Sequence, residues 1–242
     1  MPEGDAVRRS AQELNATLQG RTVITSELRV PRFATVDLKG QQVLETVAVG
    51  KHLLTRTSDG LTLHSHRRME GKWVTGTADL RTGPYHQIRV VLRTQESAAI
   101  GVRLAMVEVA PTAQEARWVA HLGPDVLADD FDPGMGFPGR RPLVETLLDQ
   151  SVIAGLGTMW AAETAFAAGV SPYSTIGESD LAPALAAVRR RMLDSVAGRR
   201  QRVDVFERTG HPCRVCGTPI RSGRVGRAPH DRVTYWCPAC QR

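Results

Sequence analysis

The residues of this sequence best suited to covalent chemistry lie at its start, Met1-Pro2-Glu3-Gly4-Asp5. Once the initiator methionine is removed, Pro2 becomes the amino terminus and carries a free secondary amine. An α-amino group titrates near pH ~7.7–8.0, against ~10.4 for lysine, so a useful fraction is nucleophilic at neutral pH. Such an amine could attack a sugar C1′ and form an imine, with Glu3 moving protons. The alternative is an ordinary start, in which proline occupies the first turn of a helix.

Four cysteines form the second candidate site: Cys213, Cys216, Cys237 and Cys240, spaced C-x2-C-x20-C-x2-C. Two thiolates separated by two residues fit neighbouring corners of a zinc tetrahedron, and a hairpin would bring the second pair to the first. Two disulfides are the alternative, which a cytosolic setting disfavours. We therefore expect one zinc ion with a closed, structural ligand set.

Lys51 lies between two apolar segments, Val49-Gly50 and Leu53-Leu54, and is one of three lysines in the chain. It could line a site for a DNA phosphate or sugar. It could equally be a lysine at a strand edge that prevents edge-to-edge pairing. The position alone does not decide between these two interpretations.

The segment His64–Trp73 combines clustered basic residues with a central Met69 and a following Gly71. This composition is typical of an exposed loop. Met69 could enter a base stack as an apolar wedge, with Arg68 beside it contacting DNA. The alternative, favoured by the sequence alone, is that Met69 packs in the core at the end of a strand.

The elements that must position these residues differ between the two halves of the chain. Residues 3–19 have apolar side chains at helical spacing and end at Gly20. Several short β-branched segments follow up to about residue 109, which predicts a two-sheet sandwich or barrel. The predicted strands are Val23–Ser26, Gln42–Val49, His52–Arg56, Leu61–His64, Gln87–Leu92 and Val102–Val109, with a hairpin turn at Ser58-Asp59-Gly60.

The second half is predicted to be helical. Residues 123–142 are rich in Pro and Gly and form the predicted linker. Three helices follow, at Leu143–Gln150, Leu156–Ala168 and Leu181–Val196. The glycine-rich turn Gly155-Leu-Gly157-Thr158 presents backbone N–H groups at a helix start, which favours phosphate binding, although such a turn is weak evidence alone.

The last segment, 209–242, is the predicted cysteine hairpin. Its two strands are predicted at residues 218–220 and 233–236. Four arginines are assigned to the connection between them: Arg221, Arg224, Arg227 and Arg232. They suit a clamp on a phosphate backbone, and the alternative is a solvated basic turn. The predicted boundaries are thus 1–122 for an N-terminal catalytic β-sandwich, 123–142 for the linker, 143–208 for the helical domain and 209–242 for the hairpin.

Charge is distributed unevenly along the 242 residues, which carry a net charge of +6. Residues 186–242 hold thirteen arginines and four acidic residues, a net charge of +9, which leaves −3 for the rest. A basic C-terminal part indicates a polyanionic partner. Genomic bias explains why arginine outnumbers lysine, but not why the arginines cluster. With neither a long apolar segment nor a signal-peptide pattern, we expect a cytosolic protein without a membrane partner.

Over its whole length the chain resembles the Fpg/Nei family of DNA glycosylases and AP lyases (formamidopyrimidine-DNA glycosylase and endonuclease VIII). Four motifs occur in the family's order: Pro2-Glu3, Gly50-Lys51, the segment Asp149–Glu163 and the four-cysteine hairpin. The third is similar to the helix–two-turn–helix signature D-Q-x-x-x-A-G-x-G-N-x-Y-x-x-E. The Gly4-Asp5 that follows the start is more similar to the endonuclease VIII branch.

The resemblance implies an α+β fold of several domains: a β-sandwich with an N-terminal helix, a helix–two-turn–helix domain and a zinc hairpin. It implies that Pro2 is the nucleophile, that Glu3 transfers protons and that Lys51 assists lyase chemistry. Gly157, Thr158 and Arg232 fall on DNA-contacting positions, and Met69 would fill the void left by a flipped base. The implied partner is damaged double- or single-stranded DNA, bound by a bacterial protein that acts as a monomer.

Three departures from the family pattern concern specificity. Thr158 stands where the family has a phosphate-contacting asparagine, and Arg67 stands where the void-filling loop usually has an apolar residue. Residues 93–103 lack the Arg-Phe-Gly wedge of the formamidopyrimidine branch. We therefore expect oxidised pyrimidines to be the preferred lesions. The departures also motivate a rival hypothesis, a non-catalytic reader of damaged DNA, whereas a zinc-ribbon transcription factor leaves Pro2-Glu3 and Lys51 unexplained.

Overall fold

The computed structural model describes residues 2–137, 141–175 and 180–242. Met1 and residues 138–140 of the predicted linker therefore lie outside the described part of the chain. The described residues form two compact units. The first consists of Pro2 with Ala6–Ala120, and the second of Glu3–Asp5 with His121–Arg242.

The first unit contains two four-stranded antiparallel sheets, in the strand orders β1-β6-β7-β5 and β2-β3-β4-β8. Its helices are α1 (Gly4–Leu18), whose first two residues group with the second unit, and the short α2 (Ala116–Val119). The strands are β1 (Thr25–Leu28), β2 (Val43–Val49), β3 (His52–Thr57), β4 (Leu61–His66), β5 (Lys72–Thr77), β6 (Ile88–Arg93), β7 (Ser97–Val102) and β8 (Met106–Pro111).

One apolar core joins α1 to both sheets, which confirms the predicted sandwich. Val7, Leu14 and Leu18 lie at helical spacing on one face of α1 and are fully buried. They pack in one cluster with side chains from both sheets, including Leu53 and Leu92. The positions that carried the sequence periodicity therefore form the face of α1 that the sandwich covers.

The strand predictions were incomplete. Two strands were missed, β5 and β7, and the single strand predicted at 102–109 is wrong. The chain turns at Arg103, which has a φ of 50°, so that β7 ends before it and β8 begins after it. The sequence of β7, Ser-Ala-Ala-Ile-Gly-Val, is completely buried but consists mostly of small residues, which carry little strand propensity.

The second unit is built around three helices and a hairpin: α3 (Leu143–Leu148), α4 (Thr158–Ala167), α5 (Ala182–Val196), β9 (Arg221–Val225) and β10 (Arg232–Trp236). Its largest core cluster includes Leu147, Trp160 and Leu185, one from each helix. Val126 and Phe131, from the predicted linker, are buried in the same cluster, so this part of the linker packs within the second unit.

The first strand of the cysteine hairpin lies later in the chain than predicted. The segment 218–220 contains Pro219, which cannot donate a ladder hydrogen bond and makes only an isolated bridge with Pro212. The regular pairing begins at Arg221, opposite Trp236, and ends at Val225, opposite Arg232. Two of the arginines assigned to the connection, Arg221 and Arg224, therefore lie on β9 itself.

Helix α4 is tied to the chain before the hairpin by a buried carboxylate. Glu163 has no solvent exposure and accepts hydrogen bonds from the backbone N–H groups of Asp204, Val205 and Phe206, at 2.9–3.1 Å. Arg191 on α5 donates a further hydrogen bond at 3.0 Å. These hydrogen bonds compensate the buried carboxylate, and they link α4 and α5 to residues 204–206.

Among the described residues, the helices are too short or too polar to span a bilayer.

Candidate active site and nucleic-acid interface

The carboxylate of Glu3 is fixed at the N-terminus of helix α4. Glu3 is only 6% exposed, and three backbone N–H groups donate to it: Gly157 at 2.7 Å, Met159 at 2.8 Å and Trp160 at 3.2 Å. The first turn of a helix leaves such donors unpaired and carries a partial positive charge. These donors compensate the buried carboxylate and fix its orientation.

The turn before α4 is shaped to receive this carboxylate. A side-chain Cβ at Gly157 would overlap the carboxyl group of Glu3, so only glycine fits there. Gly155 adopts a φ of 98°, and its carbonyl accepts a hydrogen bond from the N–H of Gly4 at 2.8 Å. Gln150 stabilises the turn by donating to the carbonyls of Leu148 and Leu156, both at 3.0 Å. The residues of the signature thus build the backbone that holds Glu3.

Asp5 has a structural partner that the sequence did not reveal. Its carboxylate accepts a hydrogen bond from the Ser195 hydroxyl on α5 at 2.6 Å, and both side chains are buried. The segment Glu3–Asp5 is therefore fastened at both ends within the second unit. Pro2, directly before it, is half-buried and belongs to the first unit.

Lys51 lies in a two-residue turn between β2 and β3, not within a strand. Val49 pairs with His52 across the turn, and Gly50 has a φ of 57°, a conformation that favours glycine. Lys51 is 7% exposed, so the interpretation as a solvated lysine at a strand edge is wrong. Its ammonium group contributes to lowering the pKa of His66, which places the two side chains within electrostatic reach.

Met69 is 70% exposed, at the tip of the loop between β4 and β5, so the interpretation that it packs in the core is wrong. Arg68, also exposed, has a φ of 50° and donates its backbone N–H to Nδ1 of His66 at 3.1 Å. An exposed methionine on a constrained loop is the arrangement expected of a side chain that inserts into a base stack.

Arg67 anchors this loop and does not extend from it. Its guanidinium donates to the Gly71 carbonyl at 2.9 Å, closing the loop, and to the Ser10 hydroxyl on α1 at 2.8 Å. A Cβ at Gly71 would overlap the Arg67 carbonyl, so the closure also needs glycine. Burial is the main cause that lowers the pKa of Arg67. The departure from the family pattern at this position therefore concerns the support of the loop.

The four cysteines meet at the base of the hairpin. All four thiols are free, and their sulfur atoms lie within 4.8 Å of one another. The Sγ atoms of Cys213 and Cys240 are 3.9 Å apart, and those of Cys216 and Cys237 are 3.4 Å apart. The edge of a zinc–sulfur tetrahedron is about 3.8 Å, against ~2.0 Å for a disulfide bond. The spacing thus fits a metal and excludes the two disulfides.

The four thiols influence one another's ionisation. A hydrogen bond with Thr218 is the largest cause lowering the pKa of Cys216 to about 6, whereas contact with Cys216 is the largest cause raising the pKa of Cys240 to about 12. Without a cation, one thiolate in the group therefore opposes ionisation of the next. A divalent ion removes this opposition, because all four sulfurs can then be thiolates.

Arg232 begins β10, is exposed and donates to the carbonyls of His230 and Asp231 at 2.9 and 3.1 Å. With Arg141 and Arg227 it lines a groove of about 430 Å³. Thr158 occupies the first position of α4, next to Gly157, and is half-buried. Within the second unit, the predicted DNA contacts are thus distributed between the hairpin tip and the start of α4.

Sequence reasoning missed a cluster of buried and partly buried side chains around His64, one of which, His52, is next to Lys51 in the chain. His52 and His64 form a hydrogen bond, and Glu108 and Trp118 adjoin His64. The available signal was the pairing of the two strands: once β3 and β4 form a hairpin, residues 52 and 66 are opposite each other, and residue 64 lies on the same face as residue 66.

A model of the formamidopyrimidine-DNA glycosylase N-terminal domain matches residues 1–109. A protein named probable endonuclease 8 2 of Streptomyces coelicolor is 42% identical, over 100% of this chain and 94% of its own length. The DNA-(apurinic or apyrimidinic site) lyase Nei2 of Mycolicibacterium smegmatis is 40% identical, over 100% and 99%. Endonuclease 8 of Escherichia coli is 30% identical over the full length of both chains.

Solved structures show the same fold. A complex of the LlFpg protein with a THF-DNA and an inhibitor superposes with a TM-score of 0.85, at 22% identity, over 100% of both chains. The Lactococcus lactis Fpg bound to DNA containing an abasic site superposes with a TM-score of 0.84 over 99% of both chains. Together with the relatives at 30–42% identity, these matches establish that the chain belongs to the formamidopyrimidine-DNA glycosylase and endonuclease VIII family.

Proposed function

We propose that this protein is a base-excision-repair DNA glycosylase with AP lyase activity, which removes oxidised bases and then cuts the strand. The observation that carries the proposal is the fixed position of Glu3. Three amide donors and the N-terminus of α4 hold its carboxylate directly after Pro2. A glutamate near an ordinary N-terminus would instead lie in solvent, without three backbone donors.

The reaction begins when the damaged nucleotide leaves the base stack, at a cost of a few kcal/mol that is smallest for a weakly paired lesion. The Pro2 nitrogen forms a bond to C1′, and the bond from C1′ to the base breaks, with its electrons leaving on the base. Glu3 accepts a proton and delivers one where negative charge develops. Opening of the sugar ring at its oxygen then gives a positively charged iminium.

Strand cleavage follows from the iminium. Its positive charge acidifies the C2′–H bond, so loss of that proton expels the 3′-phosphate. Lys51, buried in its turn in the first unit, assists this elimination. Met69 fills the void in the duplex, and Arg68 contacts the DNA beside it. Arg232 and Thr158 bind phosphates through a guanidinium and a hydroxyl, respectively. The predicted phosphate contact of Gly157 is wrong, because its backbone N–H donates to the Glu3 carboxylate at 2.7 Å.

Zinc is the metal proposed for the cysteine cluster. The donor set consists of Cys213, Cys216, Cys237 and Cys240, and four thiolates fill a tetrahedral shell. No position is left for water or substrate, so the ion stabilises the hairpin and takes no part in catalysis. We further propose that the protein acts as a monomer in the bacterial cytoplasm, on duplex or single-stranded DNA.

Borohydride trapping tests the proposed chemistry. Borohydride reduces an iminium to a stable bond, so incubation with abasic-site DNA should give a covalent protein–DNA product. Pro2→Gly should trap much less, because its terminal amine is primary and less constrained. An extra residue before Pro2 converts the nitrogen to an amide and should abolish trapping. Glu3→Gln should prevent base release but still attack a pre-formed abasic site, whose aldehyde needs no departing base.

The rival, a non-catalytic reader of damaged DNA, makes the opposite prediction for the same assay. If the protein has a confirmed free Pro2 and binds abasic DNA yet traps nothing, the enzyme proposal fails.

The hairpin arginine should contribute to affinity but not to sequence preference. Arg232→Ala should weaken DNA binding for all sequences alike and lower the slope of log affinity against log salt by about 1, as expected for one lost phosphate contact. Titrations at several salt concentrations measure the slope. Arg190→Ala, at an exposed arginine of α5 outside the cysteine hairpin, is the matched control, and an unchanged slope for Arg232→Ala would remove this residue from the phosphate contacts.

Removal of one thiolate should release the metal. Cys237 is completely buried within the hairpin core, so Cys237→Ser should lose zinc and DNA affinity together while the sandwich remains folded. Metal analysis of the purified protein and DNA titration measure the two effects. DNA binding at the original strength in metal-free protein would contradict the proposed role of the hairpin.

The proposed lesions are oxidised pyrimidines, with little discrimination by the opposite base. The Gly4-Asp5 start and the missing wedge at 93–103 support this preference. Single-turnover excision of thymine glycol, compared with 8-oxoguanine opposite cytosine, measures it. Faster release of 8-oxoguanine would overturn the preference without affecting the proposed chemistry.

A further inference from the structure

Three of the seven histidines stack on one face of the β3–β4 hairpin. Nδ1 of His52 and Nε2 of His64 are 2.9 Å apart, within hydrogen-bonding distance, and the two rings lie parallel with centroids 5.1 Å apart. His66 contacts His52 edge-to-face, with centroids 5.0 Å apart. This direct chain of rings lies in the first unit, and the reaction proposed above uses none of them.

One end of the stack is buried against a carboxylate and an indole. His64 has no solvent exposure and stacks on Trp118 with ring centroids 4.7 Å apart. The Trp118 indole donates to Oε2 of Glu108 at 2.5 Å. The same oxygen is 3.5 Å from Nδ1 of His64, an ion-pair separation too long for a good hydrogen bond, and this nitrogen has no hydrogen-bond partner among the described residues.

The other end of the stack meets the Lys51 turn. His52 is the first residue of β3 and pairs with both Val49 and His66, so its backbone closes the Gly50-Lys51 turn. His66 accepts the backbone N–H of Arg68 on Nδ1, which leaves its proton on Nε2 in the neutral form. The histidines therefore connect the support of Lys51 to the base of the Met69 loop.

His64 and His66 are uncharged at neutral pH. Burial is the main cause that lowers the pKa of His64 to about 4, and the neighbouring His52 lowers it further. Burial likewise lowers the pKa of His66 to about 4, with contributions from His64, Arg68 and Lys51. The carboxylate of Glu108 favours a proton on Nδ1 of His64, so that Nε2 of His64 accepts from Nδ1–H of His52.

We propose that His64, hydrogen-bonded to His52 and oriented by Glu108 and Trp118, is a positioning residue that holds the Lys51 turn for strand cleavage. It touches no reacting atom. His64 sets the tautomer and orientation of the His52 ring. Because His52 directly follows Lys51 in the chain, this effect reaches the Lys51 turn. This inference rests on the proposed function, because the position of Lys51 matters only if the protein cleaves the DNA strand after the imine has formed.

Two substitutions of His64 separate the hydrogen bond from packing. His64→Phe keeps a ring between Trp118 and His52 but removes the partner of His52 Nδ1. His64→Gln places an amide nitrogen near the former position of Nε2 and can retain that bond. Cleavage of a pre-formed abasic site by His64→Phe should fall about tenfold or more, as expected for a misplaced group. His64→Gln should recover most of the rate.

Binding and imine formation should not follow the same pattern. For His64→Phe, affinity for abasic-site DNA and the yield of borohydride-trapped product should stay within about twofold of wild type, because Pro2 and the phosphate contacts are unaffected. His86→Phe, the same change at an exposed histidine of the first unit, is the matched control and should cleave normally. A parallel loss of binding and cleavage would indicate a merely structural role and overturn the proposal.

A double-mutant cycle with Lys51→Ala decides whether the effect passes through Lys51. If His64 acts only by positioning Lys51, adding His64→Phe to Lys51→Ala should cause little further loss of cleavage rate. Independent losses that multiply would contradict the proposal. If His64→Phe does not fold, Glu108→Gln takes its place, because it keeps an acceptor for Trp118 while removing the charge beside His64, and it should slow cleavage without changing affinity.

The outcomes also distinguish this inference from the proposed function. Wild-type protein that traps no imine refutes the enzyme, and this inference with it. Wild-type protein that traps and cleaves, while His64→Phe and Glu108→Gln cleave at the wild-type rate, refutes only the positioning role.

Discussion

The buried carboxylate of Glu3 imposes the central constraint on this protein. A charge that is 6% exposed must be compensated, and the three N–H groups at the start of α4 supply the compensation. They can do so only if the chain before α4 approaches the carboxylate closely, which requires Gly157, and turns sharply, which requires Gly155 at a φ of 98°. The third residue of the chain and the signature some 150 residues later are therefore parts of one site.

Helix α4 makes contacts with three separate parts of the second unit. Its first turn binds the Glu3 carboxylate, whereas Glu163, in the middle of the helix, accepts hydrogen bonds from the backbone N–H groups of residues 204–206 and from the guanidinium of Arg191. Ala162 packs beside Cys213 and Cys237 in the core of the hairpin. One short helix thus connects the Glu3 carboxylate to the four-cysteine hairpin, and removing a partner from a buried pair of this kind typically costs about 3–5 kcal/mol.

The sequence predicted the elements that residue periodicity, residue spacing or side-chain chemistry identifies. The periodicity of α1, the Ser58-Asp59-Gly60 turn and the four-cysteine hairpin were all identified, because each depends on local physical rules. Strand β7 was missed because its small residues are buried by neighbouring strands, and the first hairpin strand was placed too early, at Pro219. The histidine stack was missed because its contacts depend on the exact register of β3 and β4, which the predicted hairpin turn alone does not fix. Arg67 and Asp5 acquired partners only through tertiary packing.

The most direct measurement is to locate the covalent bond in the borohydride-trapped complex. The two amines that the proposed chemistry involves are the Pro2 nitrogen and the Lys51 side chain, and both are in the first unit. Digestion of the trapped product and tandem mass spectrometry of the peptides distinguish them. The proposed mechanism predicts that the sugar remnant is attached to an N-terminal peptide beginning at Pro2, with the Lys51 peptide unmodified. Attachment at Lys51, or at any internal residue, would contradict the assignment of Pro2 as the nucleophile.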